Sequence, residues 1–470
     1  MQQDVSLERL LRALTLLIVA GALAPAAPPN VVVFLVDDLG WKDLGCQGSP
    51  VFETPHADRL AADGVRMTNA YAACPVCSPT RAALMTGRTP ARVGLTGHIT
   101  AILRHRYPER GRIVPPDDRM FLALEETTVA EALGEAGYVS ASMGKWHLGS
   151  DAYWPTRQGF DVNVAGHTHG SPTTYWFPYL DPAKEWNPRI DNLDGGRPGE
   201  YLTDRLTDEA LAFIEENQRK PFFLYLTHYA VHTPLEAPAA LTAKYRRKPA
   251  VAASGVDPVY AAMVEKTDDS LGRVLAKLDE LGLADNTLVV FTSDNGGLMS
   301  ATDNRPLRAG KGFLYEGGIR VPLIFKWPGR LEAGTESSIA AISHDLYPTI
   351  LEAAGAQGPR DRPLDGESLL GWLEGKTAPP DKRELYWYYP HYSPQAQQPG
   401  AALLQGRWKL IEHYDPPAAE LYDLEADPGE TRDLADAQPA RRDAMLERLH
   451  ARIAESGAIP HRPNPAYQPQ

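Results

Sequence analysis

The stretch Cys77-Ser78-Pro79-Thr80-Arg81-Ala82-Ala83-Leu84-Met85-Thr86-Gly87-Arg88 carries the densest chemical signal in the chain. Pro79 suits the first turn of a helix, Ala82 to Met85 propagate it, and Gly87 stops it. Cys77 then stands at the helix start, with Arg81 four residues on along the same face. A helix amino terminus with an arginine is an anion site for sulfate, phosphate or carboxylate. On these residues alone, Cys77 is a nucleophile activated by the helix dipole and a cation. The loop is not that of a cysteine phosphatase, which needs arginine six residues after cysteine, where Ala83 stands. Cys74 and Cys77 also make a C-x-x-C pair, but zinc needs two more soft ligands, and only Cys46 and histidines remain.

Four short apolar runs end in polar clusters. Val31 to Val36 leads to Asp37-Asp38, and Gly137 to Met143 leads to Lys145 and His147. Phe222 to Leu226 leads to His228 and His232, and Leu288 to Phe291 leads to Ser293-Asp294-Asn295. The runs are continuous rather than alternating, as in strands of a parallel sheet buried on both faces. Helical patterns lie between them, over Thr54–Gly64 and Ala261–Gly282. The alternation predicts an α/β fold with a large doubly wound, mostly parallel sheet flanked by helices. In such sheets ligands bind beyond the carboxyl ends of the strands, where all four clusters fall. Asp37, Asp38, Asp294 and Asn295 offer hard oxygen donors from two strand ends, which favours Ca²⁺ or Mg²⁺ over zinc. Asp37-Asp38 alone would read as a strand end and turn cap.

Taken with Cys77 and Arg81, several blocks resemble the type I, formylglycine-dependent sulfatases of the alkaline phosphatase superfamily. Cys-x-Pro-x-Arg followed by Ala-Ala-Leu-Met-Thr-Gly-Arg is similar to that family's signature. Asn30 to Gly40, Gly144 to Gly149, His232-Thr233-Pro234, Ser293 to Gly296, and Gly310-Lys311-Gly312 with Tyr315 to Gly318 resemble its other blocks in order and spacing. The resemblance implies sulfatase activity on O-sulfate esters, with sulfated carbohydrate favoured and small aryl sulfates or phosphonate and phosphodiester hydrolysis as alternatives. It implies that Cys77 is oxidised to formylglycine by a maturation enzyme, and that Ca²⁺ is held by Asp37, Asp38, Asp294, Asn295 and modified Cys77. Arg81, Lys145 and Lys311 would hold the sulfate oxygens. The hydrated aldehyde would attack sulfur, with His232 or Lys311 protonating the leaving alcohol and His147 helping to expel sulfate. A non-catalytic carbohydrate-binding relative would usually have lost Cys77 or a metal aspartate, and both are intact.

Other residues have milder readings. His228 reads as packing or support, Glu316 as ordering the lysine loop, and Asp303 and Asn304 as loop. Arg104-His105-Arg106 and Arg110 form a basic run that is either solvated or the lining of an anionic glycan cleft. His167, His169, Trp176 and His391 are secondary pocket candidates in loops that could equally pack on themselves.

Composition bounds the rest. The 470 residues carry 47 Lys and Arg against 60 Asp and Glu, for a net charge of −13. An acidic chain is not built to coat nucleic acid, so an anionic substrate needs a local cationic pocket. Three cysteines exclude a disulfide scaffold and leave Cys46 and Cys74 at most one bridge. Arg9 and Arg12 precede an apolar run, Ala13 to Ala24, then small residues and prolines. This resembles a signal peptide over residues 1–26 and predicts a periplasmic or extracellular protein with no stable membrane span. The expected organisation is a catalytic domain over 29–375 and a C-terminal subdomain over 376–470. Aromatic runs such as Leu385 to Tyr389, then Ala402 to Ile411 and a helix from Pro439 to Ser456, predict a small antiparallel sheet with one helix there.

Overall fold

The computed structural model describes residues 27–99, 111–184, 190, 192–380, 383–395 and 398–468. The expected signal segment and the basic run at 104–110 lie outside the described residues.

An eight-stranded sheet forms the centre. Its strands are β1 (Asn30–Val36), β2 (Val65–Met67), β3 (Val139–Gly144), β4 (Val162–Val164), β5 (Phe222–Thr227), β6 (Thr287–Ser293), β7 (Leu323–Lys326) and β8 (Thr335–Ser337), in the order β8-β2-β7-β6-β1-β5-β3-β4. Only β7 runs antiparallel to its neighbours. In register, Val36 pairs with Ser293, Leu35 with Thr227 and Gly144 with Thr227, so β1, β3, β5 and β6 end at one level. That level is the edge where the polar clusters gather.

The continuous apolar runs are explained by cover on both faces. Val32, Phe34 and Val36 of β1 pack with helices α1 (Pro55–Ala62), α4 (Leu202–Asn217) and α5 (Pro258–Glu280). Val31, Val33 and Leu35 pack with α2 (Cys77–Thr86), α3 (Val129–Glu135) and α6 (Leu346–Ala354). Each fully buried Val or Leu contributes about 1.5–3 kcal/mol, so alternating polarity here would cost most of the domain's stability.

Four antiparallel strands follow: β9 (Glu384–Tyr389), β10 (Gly400–Gln405), β11 (Trp408–Tyr414) and β12 (Pro417–Asp423). The expected run Ala402–Ile411 is two strands, because Gly406, with φ 60°, turns the chain between them. Leu385, Trp387 and Tyr389 face the main body, and the Trp387 indole donates to Ala72 O at 2.8 Å. Tyr386 and Tyr388 face the other way, toward the last helix, α7 (Pro439–Glu455). Among the described residues no helix is long and apolar enough to cross a membrane.

Candidate active site

Helix α2 forms as the sequence predicts. Val76 precedes it in extended backbone, and Gly87 closes it at φ 68° with its N–H on Ala83 O. Every residue of the helix is buried, so its amino end opens into the molecule rather than to solvent. Arg81 is 0% exposed. Its Nε donates to Asp294 Oδ2 at 2.8 Å and its Nη1 to Lys145 O at 2.7 Å and to Thr227 Oγ1. Nη2 lies 3.9 Å from Asp37 Oδ1 with no hydrogen-bond partner. Arg81 therefore fastens three strand ends together, with one nitrogen left for an anion.

The aspartates converge from β1 and β6. Donor atoms of Asp37, Asp38, Asp294 and Cys77 all lie within 4.8 Å of one another. Asn295 joins them by donating from Nδ2 to Asp38 Oδ1 at 2.8 Å, and its buried Oδ1 has no partner, like Asp37 Oδ1. Lys145 Nζ reaches Asp37 Oδ2 at 2.6 Å, and Lys311 Nζ stands 2.7 Å from each oxygen of Asp38. All these acids are essentially without solvent contact. Removing a carboxylate from water costs several kcal/mol, so the cluster stands only because the opposite charges are in contact.

The electrostatics are uneven. Burial and the neighbouring Asp294 push Asp37 well above the usual carboxylate range, against Lys145. Burial also pushes Asp38 upward, but Lys311 and His232 outweigh it and hold it low. For Lys311, burial pulls the ammonium down, and Asp38 and Cys77 outweigh that and keep it charged. Burial pushes the Cys77 thiol up to about 12, although Lys145 and Lys311 pull the other way. The expectation of a thiol activated by a neighbouring cation is thus not met: desolvation outweighs both lysines.

Two histidines complete the pocket. His232 follows β5, with Nδ1 on Thr233 O at 2.7 Å and Nε2 3.7 Å from Asp38 Oδ2. A carbonyl only accepts, so Nδ1 carries the proton and Nε2 is left for chemistry. Burial and Lys311 lower His232 to about 3. His147 is fully buried, with neither ring nitrogen partnered, and burial and His98 hold it well below neutral. Its backbone has φ 59°, unusual for a side chain this large, and its N–H is tied to His167 O at 3.0 Å. The ring lies over Gly170, where a Cβ would come within 2.6 Å of it. Gly144, at φ 105°, makes the tight exit from β3 that aims Lys145 inward.

The structure therefore brings Asp37, Asp38, Cys77, Arg81, Lys145, His147, His232, Asp294, Asn295 and Lys311 to one place. His228 is a packing residue, bonded to Ser270 Oγ at 2.9 Å and set against Phe34. His167 stacks on Tyr229 and Trp176 packs at a tilt against Tyr201, while His391 contacts Thr96 and Asp118. Asn304 is more than loop, because its Nδ2 ties Gly297 O to Ala309 O and so shapes the Lys311 approach. Glu316 meets Lys409 at 2.9 Å and Tyr71 at 3.1 Å. Cys46, Cys74 and Cys77 are free thiols. Sequence reasoning missed His98, whose ring stands edge-on to His147 at 4.6 Å, and Thr227, which grips Arg81. His98 sits in no patterned block, and Thr227, at the end of the run Phe222 to Leu226, reads as an ordinary strand residue.

Comparison with known proteins bears directly on this geometry. The family model for sulfatases matches residues 29–356, and that for the C-terminal part of N-sulphoglucosamine sulphohydrolase matches 309–458. A sulfatase of Formosa agariphila is 34% identical over 88% of this chain and 85% of its own. Human N-acetylgalactosamine-6-sulfatase is 38% identical over 78% of this chain and 70% of its own. The crystal structure of Ps i-CgsB with k-i-k-neocarrahexaose superposes with a TM-score of 0.78 at 30% identity, covering 91% of this chain and 93% of that one. With the cysteine–arginine helix, the paired aspartates and the lysines in one pocket, the chain belongs to the sulfatase family and is a sulfuric ester hydrolase of alkaline-phosphatase-like fold.

Proposed function

We propose that the protein removes sulfate from sulfated carbohydrate, using a formylglycine made from Cys77 and a calcium ion held by Asp37, Asp38, Asp294 and Asn295. The observation that carries the site assignment is the meeting of four buried donor residues within 4.8 Å, ringed by Arg81, Lys145 and Lys311. The residues fit a hard divalent cation. Asp37 Oδ1 and Asn295 Oδ1 are buried acceptors without partners, and oxygen in place of the Cys77 sulfur makes the last donor hard as well. A thiol held near 12 is a poor nucleophile at neutral pH, which fits a working residue other than cysteine.

Hydrated formylglycine supplies a hydroxyl nucleophile and the cation supplies Lewis-acid charge. The chain's own groups do the remainder. Lys145 and Lys311 each have N–H bonds beyond those given to Asp37 and Asp38, and these stabilise charge growing on the sulfate oxygens. Arg81 ties the end of β6, which carries Asp294, to the ends of β3 and β5 beside the nucleophile. His147, kept neutral by burial, is in the form that accepts a proton beside residue 77. His232 has its free Nε2 toward Asp38, and a sulfate ester anion placed there raises its proton affinity, readying it to protonate the leaving alcohol.

The carbohydrate preference rests on relatives, whose names speak of N-acetylgalactosamine-6-sulfate and of a carrageenan fragment. The test is sulfate release from a panel of sulfated oligosaccharides, beside nitrophenyl sulfate and a phenyl phosphonate ester, with peptide mass spectrometry of residue 77. Faster turnover of the aryl or phosphonate ester than of every sugar would reject the substrate class. We also read residues 1–26 as an export signal, 29–375 as the catalytic domain and 376–470 as the C-terminal subdomain. Intact-mass analysis of exported protein retaining Met1 would refute the first of these.

A further inference from the structure

The active-site cavity holds a second set of donors of a different chemical kind. His98 follows Gly97 on the stretch after the Cys77 helix. The Cys77 Sγ and one ring nitrogen from each of His98 and His147 lie within 4.8 Å of one another. His147 has no solvent exposure, and among the described residues neither of its ring nitrogens has a hydrogen-bond partner. An unpaired buried polar atom costs about 1–3 kcal/mol, so the arrangement favours any ligand that takes up one of these nitrogens.

We propose that, while residue 77 is still cysteine, Cys77, His98 and His147 form a binding site for a borderline-soft divalent cation, Zn²⁺ above all. One thiolate and two imidazoles with one open position is a donor set suited to tetrahedral zinc. Zinc bonds of about 2.3 Å to sulfur and 2.0 Å to nitrogen put such donors roughly 3.3–3.7 Å apart. Closing from within 4.8 Å takes about 1 Å of side-chain movement. On binding, the Zn–S bond forms, the thiol proton leaves to solvent, and no electrons change hands. Charge does not oppose it, because Asp37, Asp38 and Asp294 balance Arg81, Lys145 and Lys311 within the same cavity.

This site is distinct from the oxygen cluster, which offers a hard cation carboxylates and an amide. Cys77 belongs to both donor groups, and to a third made with Asp38 and His232 that offers only one imidazole. Conversion of its thiol to an oxygen-bearing group removes the one soft ligand and leaves the hard set intact. Unconverted chains would therefore carry zinc where the substrate sulfate must sit, and converted chains would not. The proposal concerns the cysteine form and does not depend on which sulfate ester the enzyme cleaves.

The test uses full-length protein made without a maturation enzyme, with Cys46→Ser and Cys74→Ser so that Cys77 is the only thiol. Co²⁺ alone is the probe. The expected result is one Co²⁺ per chain with a sulfur-to-cobalt charge-transfer band in the near ultraviolet, displaced by Zn²⁺ but not by excess Ca²⁺. H98A should weaken binding by more than the roughly 10–100-fold typical of losing a residue that only supports a ligand. H98Q, judged folded by near-ultraviolet circular dichroism, provides the same reading if H98A does not fold. Absence of the band in folded protein would overturn the proposal. So would a folded H98Q that binds as tightly as the parent, or displacement of Co²⁺ by Ca²⁺ as readily as by Zn²⁺.

Discussion

Two groups of buried charge share one loop of the chain. Lys311 reaches into the pocket of Asp37, Asp38 and Asp294, while Glu316, five residues on, turns away to meet Lys409 and Tyr71. Lys409 is 0% exposed and also pairs with Glu430 at 2.8 Å, and Glu430 receives the Glu316 N–H at 2.7 Å. This second group is nearly closed upon itself, a clasp between the C-terminal sheet and the catalytic body in which only Glu430 Oε1 lacks a hydrogen bond, and that atom still lies 2.8 Å from Lys409 Nζ. The first is open, because Asp37 Oδ1, Asn295 Oδ1, Arg81 Nη2 and both His147 nitrogens have no partners. Burial and net pairing are similar in the two. The difference lies in the leftover donors and acceptors, and that marks one group as a binding site and the other as a fastener.

The sharpest way to break this comparison is at the open group. Cys77→Ala should lower turnover of a sulfate ester by at least about 10³-fold while leaving the fold intact, and kcat with the melting curve measures both. Activity surviving that change would remove Cys77 from the chemistry. The closed group should respond in the opposite way. K409M strands Glu316 and Glu430 in the interior and should destabilise the protein by about 3–5 kcal/mol, read from denaturant unfolding. An unchanged midpoint would mean that the clasp holds nothing. K145A should fall between the two, with kcat down about 10²–10³-fold and a smaller stability loss. Chelation of divalent ions should abolish activity and lower stability by about 3 kcal/mol relative to protein at a calcium level 100 times its Kd, with calcium restoring both. Chelation that left activity and melting temperature untouched would empty the open group of its metal.

The smallest effect is a pH dependence at the clasp. Burial pushes Glu430 up to about 7 from its ordinary 4.5, with Lys409 opposing and Glu316 reinforcing. Between those values the folded protein holds a proton that the unfolded chain has released. Stability therefore falls as pH rises from about 4.5 to 7 and levels off above. E430Q should flatten that slope, worth about 1–3 kcal/mol across the window, as measured by Tm against pH.

Much of the open group was legible in the sequence, because its residues sit at the carboxyl ends of continuous apolar runs. Asp37, Lys145, His232 and Asp294 needed only the strands to be read, and the parallel register did the rest. What Arg81 binds was not legible. Spacing put it beside Cys77 but could not tell that Asp294 and Lys145 O would claim its nitrogens. The state of the Cys77 thiol was misread for a related reason: helix position is local, whereas desolvation depends on the whole molecule. Of the clasp, only Glu316 drew notice, as a residue ordering the lysine loop, and its partners escaped. Lys409 is one lysine in an alternating strand, and nothing nearby signals that its partners lie 93 residues before it and 21 after.

The complete burial of Cys77 also sets a timetable for synthesis. The side chains that close over it include Lys311, which leaves the ribosome more than two hundred residues later. At about 5–20 residues per second, residue 77 stays reachable for roughly 10–50 s before its lid is made. Any enzyme that alters this cysteine works against that clock. A chain stalled before Asp294 should accept the modification, and the finished, folded chain should refuse it.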